Sequence, residues 1–148
     1  MNYKKDGFDG QRAIILPKSI INKVCLPDPI INSCYITAFG YYPKAKFHYR
    51  KRPNGSEQNI LIYCLEGTGK VSIADKSSNV SPGECFVIPC HLAHQYKSDE
   101  ESPWTIYWCH FKGEHSDDIV RAMLVKMSSY NSQIPFLDER IQLFDKLY

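Results

Sequence analysis

Long apolar runs, an export signal and closely paired cysteines are all missing from this 148-residue sequence. No apolar run approaches the roughly 20 residues that a helix needs to cross a bilayer. The basic start of the chain, residues 1–17, lacks an apolar stretch followed by a small-residue cleavage site. The six cysteines include no C-x-x-C pair, which favours reduced, mostly buried thiols. These absences predict a soluble, cytoplasmic protein without a membrane partner.

An excess of one charge sign is also missing, because the formal net charge is only +2. So small a charge does not provide a general attraction to a polyanion, and we expect no nucleic-acid binding by this chain itself. Basic residues do concentrate at positions 44–52, where they alternate with mostly apolar ones. This period of two predicts a strand. Its basic side chains are expected on a solvated outer face, except for Arg52.

The first three quarters of the chain consist of short β-rich runs with turn signals between them. The runs are residues 12–17, 33–42, 45–49, 59–67, 69–75, 83–89, 94–96 and 104–113. Gly, Pro, Asn and Ser mark turns at residues 53–55, 67–69, 77–79 and 81–83. We interpret these turns as hairpins. Strands at this spacing predict a sandwich or a barrel.

After Gly113 the apolar spacing becomes helical. One predicted helix begins at residues 116–118, whose polar and acidic side chains suit a helix N-terminus. A second follows Pro135 and carries one apolar stripe. The stripe consists of Leu137, Ile141, Phe144 and Leu147. No Gly or Pro ends this second helix, so it is expected to continue to the end of the chain. Such a helix either covers its own domain or pairs with a second copy.

The segment from residue 83 to residue 96 resembles the second cupin motif, G-x5-P-x-G-x2-H. Gly83, Pro89 and His94 occupy three of its four defined positions. His91 stands where the family has its second glycine, and histidine is among the residue types enriched at positive φ. The resemblance implies that His94 points into the barrel. It also implies the fold class: mostly β, a double-stranded β-helix (cupin or jelly-roll) barrel, here followed by two C-terminal α-helices.

Metal-bearing cupins add an H-x-H pair and a glutamate to this histidine, because a catalytic metal needs about three protein ligands. The matching positions here hold Asn54, Ser56 and Ile60. His48 and His110 are possible rearranged partners, but a barrel histidine without companions is more often a hydrogen-bonded core residue. We therefore expect no metal, no other cofactor and no enzymatic activity.

The order of motifs between residues 52 and 113 resembles the arabinose-regulator (AraC) family. The motifs are R-P-N-G-x4-I-L-I-Y-C-L-E-G-T-G, G-E-C-F-V-I-P, H-x-Y and W-x3-W-x-x-F-x-G. The resemblance implies a ligand-sensing barrel over residues 1–113, whose N-terminal arm closes over the ligand. It also implies a helical dimerisation segment over residues 114–148 of the same domain, which would make the protein a homodimer. DNA binding would belong to a helix-turn-helix domain outside this chain.

The resemblance also implies a pocket for a small-molecule effector. Its matched ligand-binding residues are Arg52, Tyr96 and Trp108, joined by His94 from the cupin motif and by Trp104, Ile106 and His110 on the same face of the last strand. His110 is equally well interpreted as a core histidine. Ile106 replaces a polar pocket residue of the arabinose-binding members, so arabinose itself is not implied. Another sugar, a carboxylated sugar or an aromatic compound remains open, and the basic neighbours favour an anion.

Three classes of function fit these features. The leading one is a sensor domain that controls a DNA-binding domain. The second is a small cupin enzyme, an isomerase or dioxygenase with an atypical metal site. The third is a dimerisation module whose pocket is empty or filled with side chains. An open cavity lined by Arg52, Tyr96 and Trp108 would argue against the third.

Overall fold

The computed structural model describes residues 2–127, 130–133 and 137–147. Strands dominate the described residues up to position 112, and helices follow. The elements are β1 (Arg12–Ile15), α1 (Lys18–Ile20) continued by a π-helical turn (Ile21–Cys25), a 3-10 turn (Ile31–Ser33), β2 (Tyr35–Tyr42), β3 (Tyr49–Arg52), β4 (Asn59–Glu66), β5 (Gly69–Ile73), β6 (Lys76–Val80), β7 (Glu84–Ile88), β8 (His94–Ser98), β9 (Thr105–Lys112), α2 (Ser116–Lys126), β10 (Asn131–Gln133) and α3 (Leu137–Asp145). No helix of these segments is long and apolar enough to cross a membrane.

The strands form two antiparallel sheets that enclose the core. The larger sheet has the order β1-β2-β9-β4-β7-β10, and the smaller has the order β3-β8-β5-β6. The chain stays in one sheet from β1 to β2 and from β5 to β6, and from β2 to β5 and from β6 to β9 it changes sheet at every connection. This alternation is the jelly-roll arrangement of cupins, so the predicted mostly β cupin-type barrel with C-terminal helices is confirmed.

The predicted hairpins at residues 53–55, 67–69 and 81–83 are wrong, although turns occur there. Each of these turns carries the chain to the opposite sheet instead of back along the same one. The turn predicted at residues 77–79 is also wrong, since these residues lie in β6. The β5–β6 hairpin turns earlier, at Ala74, whose φ is +51°. Strand β6 lies at a sheet edge with mostly exposed side chains, so it lacks the apolar alternation that marks a strand.

The strand predicted over residues 44–52 is confirmed only from Tyr49 onwards. Lys44 and Phe47 have φ angles of +40° and +65°, which no extended strand contains. The N–H of Ala45 donates to the carbonyl of Trp104 at 2.8 Å, so this segment docks on the chain just before β9. Basic and apolar residues alternate in this docked segment although it is not a strand. Its sequence therefore has the same period of two that a strand would have.

Both C-terminal helices pack on the outer face of the larger sheet. Val120 of α2 is buried with Val87 and Phe111. Phe144 of α3 stacks on Tyr107 with ring centroids 4.7 Å apart. Both predicted helices are therefore confirmed, and the apolar stripe of the second covers its own domain at Phe144.

Two features of the C-terminal segment differ from the prediction. Helix α3 ends at Asp145, and residues 146 and 147 form a turn, so the expectation of a helix to the chain end is wrong. Strand β10 pairs with β7 and had no sequence signal, because its residues Asn131–Gln133 are all polar. Pro135 lies outside the described residues.

Candidate ligand-binding site

A small cavity lies inside the barrel and receives side chains from both sheets. Its volume is about 40 Å³. The lining residues are Lys5, Tyr42, His48, Arg50, Arg52, Ile62, Tyr96, Ile106, Trp108 and His110. Five of the seven sequence-predicted site residues therefore line it. His94 does not line the cavity but contacts Arg52, which does. Larger grooves lie on the outer surface; one of about 500 Å³ is lined mostly by residues of the smaller sheet.

Arg52 is held inside the barrel by two residues of the neighbouring strand. Strands β3 and β8 pair in a register that places Arg52 opposite His94 and Arg50 opposite Tyr96. Arg52 Nη1 donates to His94 Nε2 at 3.1 Å and to the Tyr96 hydroxyl at 3.4 Å. Neither acceptor is a carboxylate, so the guanidinium keeps its full charge and three other N–H donors for a ligand.

His94 fixes the orientation of Arg52 and is itself fixed by the turn before β8. Its Nδ1–H donates to the carbonyl of Leu92 at 2.8 Å, which leaves Nε2 as an acceptor for Arg52. Burial lowers the pKa of His94, and the positive charges of Arg52 and Arg50 lower it further. A neutral His94 is the form that this geometry requires.

The cupin turn preceding His94 forms as the motif implies. His91, at the place of the family's glycine, has a φ of +64°. The backbone of Gly55 lies against this turn so closely that a Cβ on it would be 2.4 Å from the His91 carbonyl carbon. The backbone at Gly55 therefore packs directly against this turn.

Trp108 forms one wall of the cavity and has an unsatisfied polar atom. Its indole lies against the backbone of Gly40 on the adjacent strand, where a Cβ would be 2.3 Å from the ring. Its Nε1–H is buried and has no hydrogen-bond partner among the described residues. A buried donor without a partner costs about 1–3 kcal/mol, so an acceptor on a ligand would stabilise it.

Two further histidines line the cavity in their neutral forms. Burial and the charges of Arg50 and Arg52 lower the pKa of His48 to about 3. Burial and the same two arginines lower the pKa of His110 to about 4, with a smaller contribution from His94. Both rings therefore sit in a positive electrostatic field at neutral pH.

Trp104 lies beneath the cavity rather than in its wall. It is fully buried, and its Nε1–H donates to Nδ1 of His48 at 3.2 Å. Its role in the described geometry is to orient His48. The other three residues predicted to share a face of the last strand do so, since Ile106, Trp108 and His110 all line the cavity.

The solvated outer face predicted for the basic residues at 44–52 is wrong for His48 and Arg50. His48 is buried, and Arg50 lines the cavity beside Arg52. The position of Arg50 could have been predicted from the period of two, because residues 50 and 52 of one strand share a face. Lys5, Tyr42 and Ile62 also line the cavity and were missed, since no motif marks them.

The N-terminal segment lies across one end of the barrel. The N–H of Lys4 donates to the carbonyl of Phe47 at 2.9 Å, and the N–H of Tyr49 donates to the carbonyl of Lys4 at 3.0 Å. Phe8 is buried against Tyr42 and His48, with ring centroids 5.0 and 5.3 Å apart. These contacts place Lys5 at the edge of the cavity.

The cavity does not fit the metal that some cupins bind. Among the described residues, no group of three His, Cys, Asp or Glu side chains could hold an ion. The Nε2 lone pair of His94, which would ligate a metal, accepts a hydrogen bond from Arg52. Arginine beside this position repels a cation, so the donor set suits a ligand with acceptor atoms instead.

The fold and cavity define a cupin-type barrel with a polar interior site. The chain belongs to the AraC-like ligand binding domain family, whose sequence pattern matches residues 39–146. The family resemblance inferred from residues 52–113 is thus confirmed.

Two regulatory proteins and one solved structure are among the proteins similar to this chain. It is 31% identical over 103 residues to the MmsAB operon regulatory protein of Pseudomonas aeruginosa, covering 67% of this chain and 33% of that protein. It is 26% identical over 73 residues to the Msm operon regulatory protein of Streptococcus mutans, covering 49% and 26%. The match therefore spans about a third or less of these relatives. YhaK from Escherichia coli has a TM-score of 0.52 at 12% identity over 84% of this chain and 50% of its own, which supports the fold alone.

Proposed function

We propose that this domain senses a small-molecule effector in its barrel and controls a DNA-binding domain outside this chain. The observation that carries the proposal is that Arg52, Tyr96 and Trp108 line one interior cavity. These are the three positions that match ligand-contacting residues of the arabinose-binding relatives. A sugar or a carboxylated sugar is the starting hypothesis for the effector, and the cytoplasm is the compartment in which such a regulator works.

The test is a thermal-shift screen of sugars, uronic acids and aromatic acids, since a ligand that binds only the folded state raises the melting temperature. We expect at least one compound to stabilise the protein and Arg52→Gln to abolish that shift. Lys51→Gln is the matched control, because Lys51 is the exposed neighbour of Arg52 on the same strand. Equal shifts in Arg52→Gln and the parent protein would contradict the proposed site.

We further propose that the N-terminal segment moves with the ligand. Two backbone hydrogen bonds between Lys4 and residues 47–49 and the packing of Phe8 hold it in place, and these contacts flank Lys5, which lines the cavity. We expect an effector to change the rate at which a protease cleaves within residues 2–11. An unchanged rate at saturating effector would exclude this movement.

The enzymatic alternative has less support. The relatives matched in sequence are regulatory proteins, and the described cavity offers no metal-ligand set. The domain is accordingly proposed to be non-enzymatic. Turnover of an effector by the purified protein, dependent on a stoichiometric metal, would contradict this.

Homodimerisation through the C-terminal helices is proposed from the apolar side chains that they leave uncovered. Leu143 is 64% exposed and Val125 is 86% exposed. We expect Leu143→Glu to shift the protein from dimer to monomer in analytical ultracentrifugation. Ile30→Glu is the control, since Ile30 is even more exposed, at 82%, but lies in the N-terminal part of the chain. Dissociation by Ile30→Glu alone would move the interface to the N-terminal segment.

A further inference from the structure

Three cationic side chains share the wall of the interior cavity. They are Lys5, Arg50 and Arg52. Among the described residues, no carboxylate lines this cavity. The two ion pairs found in the described residues both involve Asp118, which lies on the surface. Like charges in a partly buried site repel one another more strongly than in water. An anion in the cavity would relieve this repulsion.

The hydrogen-bonding groups of the cavity are mainly donors. The two guanidinium groups and the ammonium group can only donate, and the buried Nε1–H of Trp108 lacks an acceptor. Each hydroxyl of a neutral sugar must donate a hydrogen bond as well as accept one. A carboxylate only accepts, and its planar pair of oxygens matches the arginine fork. The donor excess therefore favours a carboxylate over a polyol.

The volume and the apolar part of the wall limit the size of the ligand. A cavity of about 40 Å³ has room for about three water molecules, at roughly 10–15 Å³ for each water. A monosaccharide is bulkier than a short unbranched acid, so it fits this space less well. The remaining walls include Ile62 and Ile106, which suit a short hydrocarbon chain.

We propose that the effector is a short-chain aliphatic carboxylate, held at its charged end by Arg50, Arg52 and Lys5 and by the Trp108 indole N–H. This rests on the proposed sensing function and names the ligand class for that site. In this proposal, Arg50 and Lys5 contribute to the specificity for a carboxylate. It also gives the N-terminal segment a direct contact with the ligand through Lys5.

The electrostatics of the neighbouring histidines agree with such a site. Arg50 and Arg52 both lower the pKa values of His48 and His110. An anion between these groups would cancel part of that field. The pKa of His110 is therefore expected to rise when the ligand binds, which a purely structural role of the arginines would not cause.

The experiment compares butanoate with its neutral analogue butanamide, using inorganic phosphate and arabinose as further probes. At about ten times its Kd, butanoate should raise the melting temperature by about 4 °C, whereas butanamide should bind at least about ten-fold more weakly. Arg50→Gln should remove the butanoate shift. Arg50→Lys should retain part of it, and Lys51→Gln should retain it fully. Circular dichroism verifies folding of each variant, and an NMR titration follows His110.

Each outcome bears on the proposal. Equal stabilisation by butanoate and butanamide would overturn it, as would the absence of a shift with every aliphatic carboxylate of two to six carbons. Stabilisation by arabinose alone would overturn the ligand class while leaving the sensing function intact. Stabilisation by phosphate but not butanoate would replace the carboxylate with a phosphate. Failure of the broader screen of sugars and acids would instead overturn the sensing function itself.

Discussion

Trp108 can occupy the cavity wall because residue 40 has no side chain. A Cβ at position 40 would lie 2.3 Å from the indole ring, well inside contact distance. We expect Gly40→Ala to displace the indole and destabilise the protein by about 1–3 kcal/mol, the usual range for overpacking a core. Urea denaturation followed by tryptophan fluorescence measures both effects.

The control for this prediction is a double-mutant cycle with Trp108→Phe. A phenyl ring is smaller than an indole, so Gly40→Ala should be less destabilising when residue 108 is Phe. The same loss of stability in both backgrounds would show that the close contact with Trp108 is not the cause.

Individual site residues were predictable where a motif or a period marks them. Arg52, Tyr96 and Trp108 follow from family motifs, and Ile106 and His110 follow from the period of the last strand. Arg50 lies on the same face as Arg52, but the prediction of a solvated basic face placed it outside. Lys5 could not be predicted, because its position depends on long-range contacts of the N-terminal segment with residues 47–49.

At the scale of elements, Asn59 joins three parts of the fold. Its Nδ2 donates to Asp117 at 2.9 Å and to the Ser116 hydroxyl at 3.3 Å, both at the start of α2. Its Oδ1 accepts from the N–H of Cys90 at 2.8 Å, in the turn that leads to His94. Asn59→Ala would leave the N–H of Cys90 without its partner and remove two hydrogen bonds to the start of α2, with an expected loss of about 1–3 kcal/mol. Chemical denaturation measures this loss.

The matched control is Asn54→Ala, because Asn54 is an exposed residue in a nearby turn. Its effect should stay within about 0.5 kcal/mol. Amide hydrogen exchange should also speed up at the start of α2 in Asn59→Ala and not in Asn54→Ala. Unchanged protection of α2 would contradict the role of Asn59 as its anchor.

Whether a segment is a strand or a helix was predictable where its apolar residues are the ones that become buried. The strands of the barrel core and both C-terminal helices follow this rule. The prediction was wrong at residues 44–48, where burial of Ala45 arises from docking rather than from a strand. It was wrong at residues 77–79 because an edge strand needs few apolar residues. Strand β10, whose residues are all polar, is a similar case at an edge of the larger sheet.

At the scale of the whole molecule, the buried histidines make stability depend on pH. In the unfolded chain they take up a proton near pH 6.5, whereas the folded protein keeps His110 neutral down to about pH 4 and His48 down to about pH 3. Between these values the unfolded state binds more protons, so stability is complete above pH 6.5 and falls as the pH decreases. For His110 the loss is on the order of 3 kcal/mol by pH 4.

Denaturation between pH 7 and pH 4 measures this dependence. His110→Gln should reduce the slope, because it removes one of the groups that titrate only in the unfolded state. Identical slopes in the parent protein and His110→Gln would contradict the assignment.

The topology of the whole molecule came from resemblance and not from local patterns. Alternation and turn signals indicate a sandwich or barrel, but they do not distinguish a turn within one sheet from a turn between sheets. The difference depends on which strands pair, and pairing such as β3 with β8 joins residues more than 40 positions apart. The cupin and AraC-family motifs supplied that information.

The most direct test of ligand sensing uses the two tryptophans of the chain. The indole N–H of Trp108 has no partner among the described residues, whereas that of Trp104 is bonded to His48. In a ¹H–¹⁵N NMR titration with a compound that stabilises the protein, the Trp108 indole signal should move downfield and saturate, and the Trp104 signal should move much less. Trp108→Phe assigns the signals. A stabilising compound that leaves the Trp108 signal in place would show that the effector does not bind in this cavity.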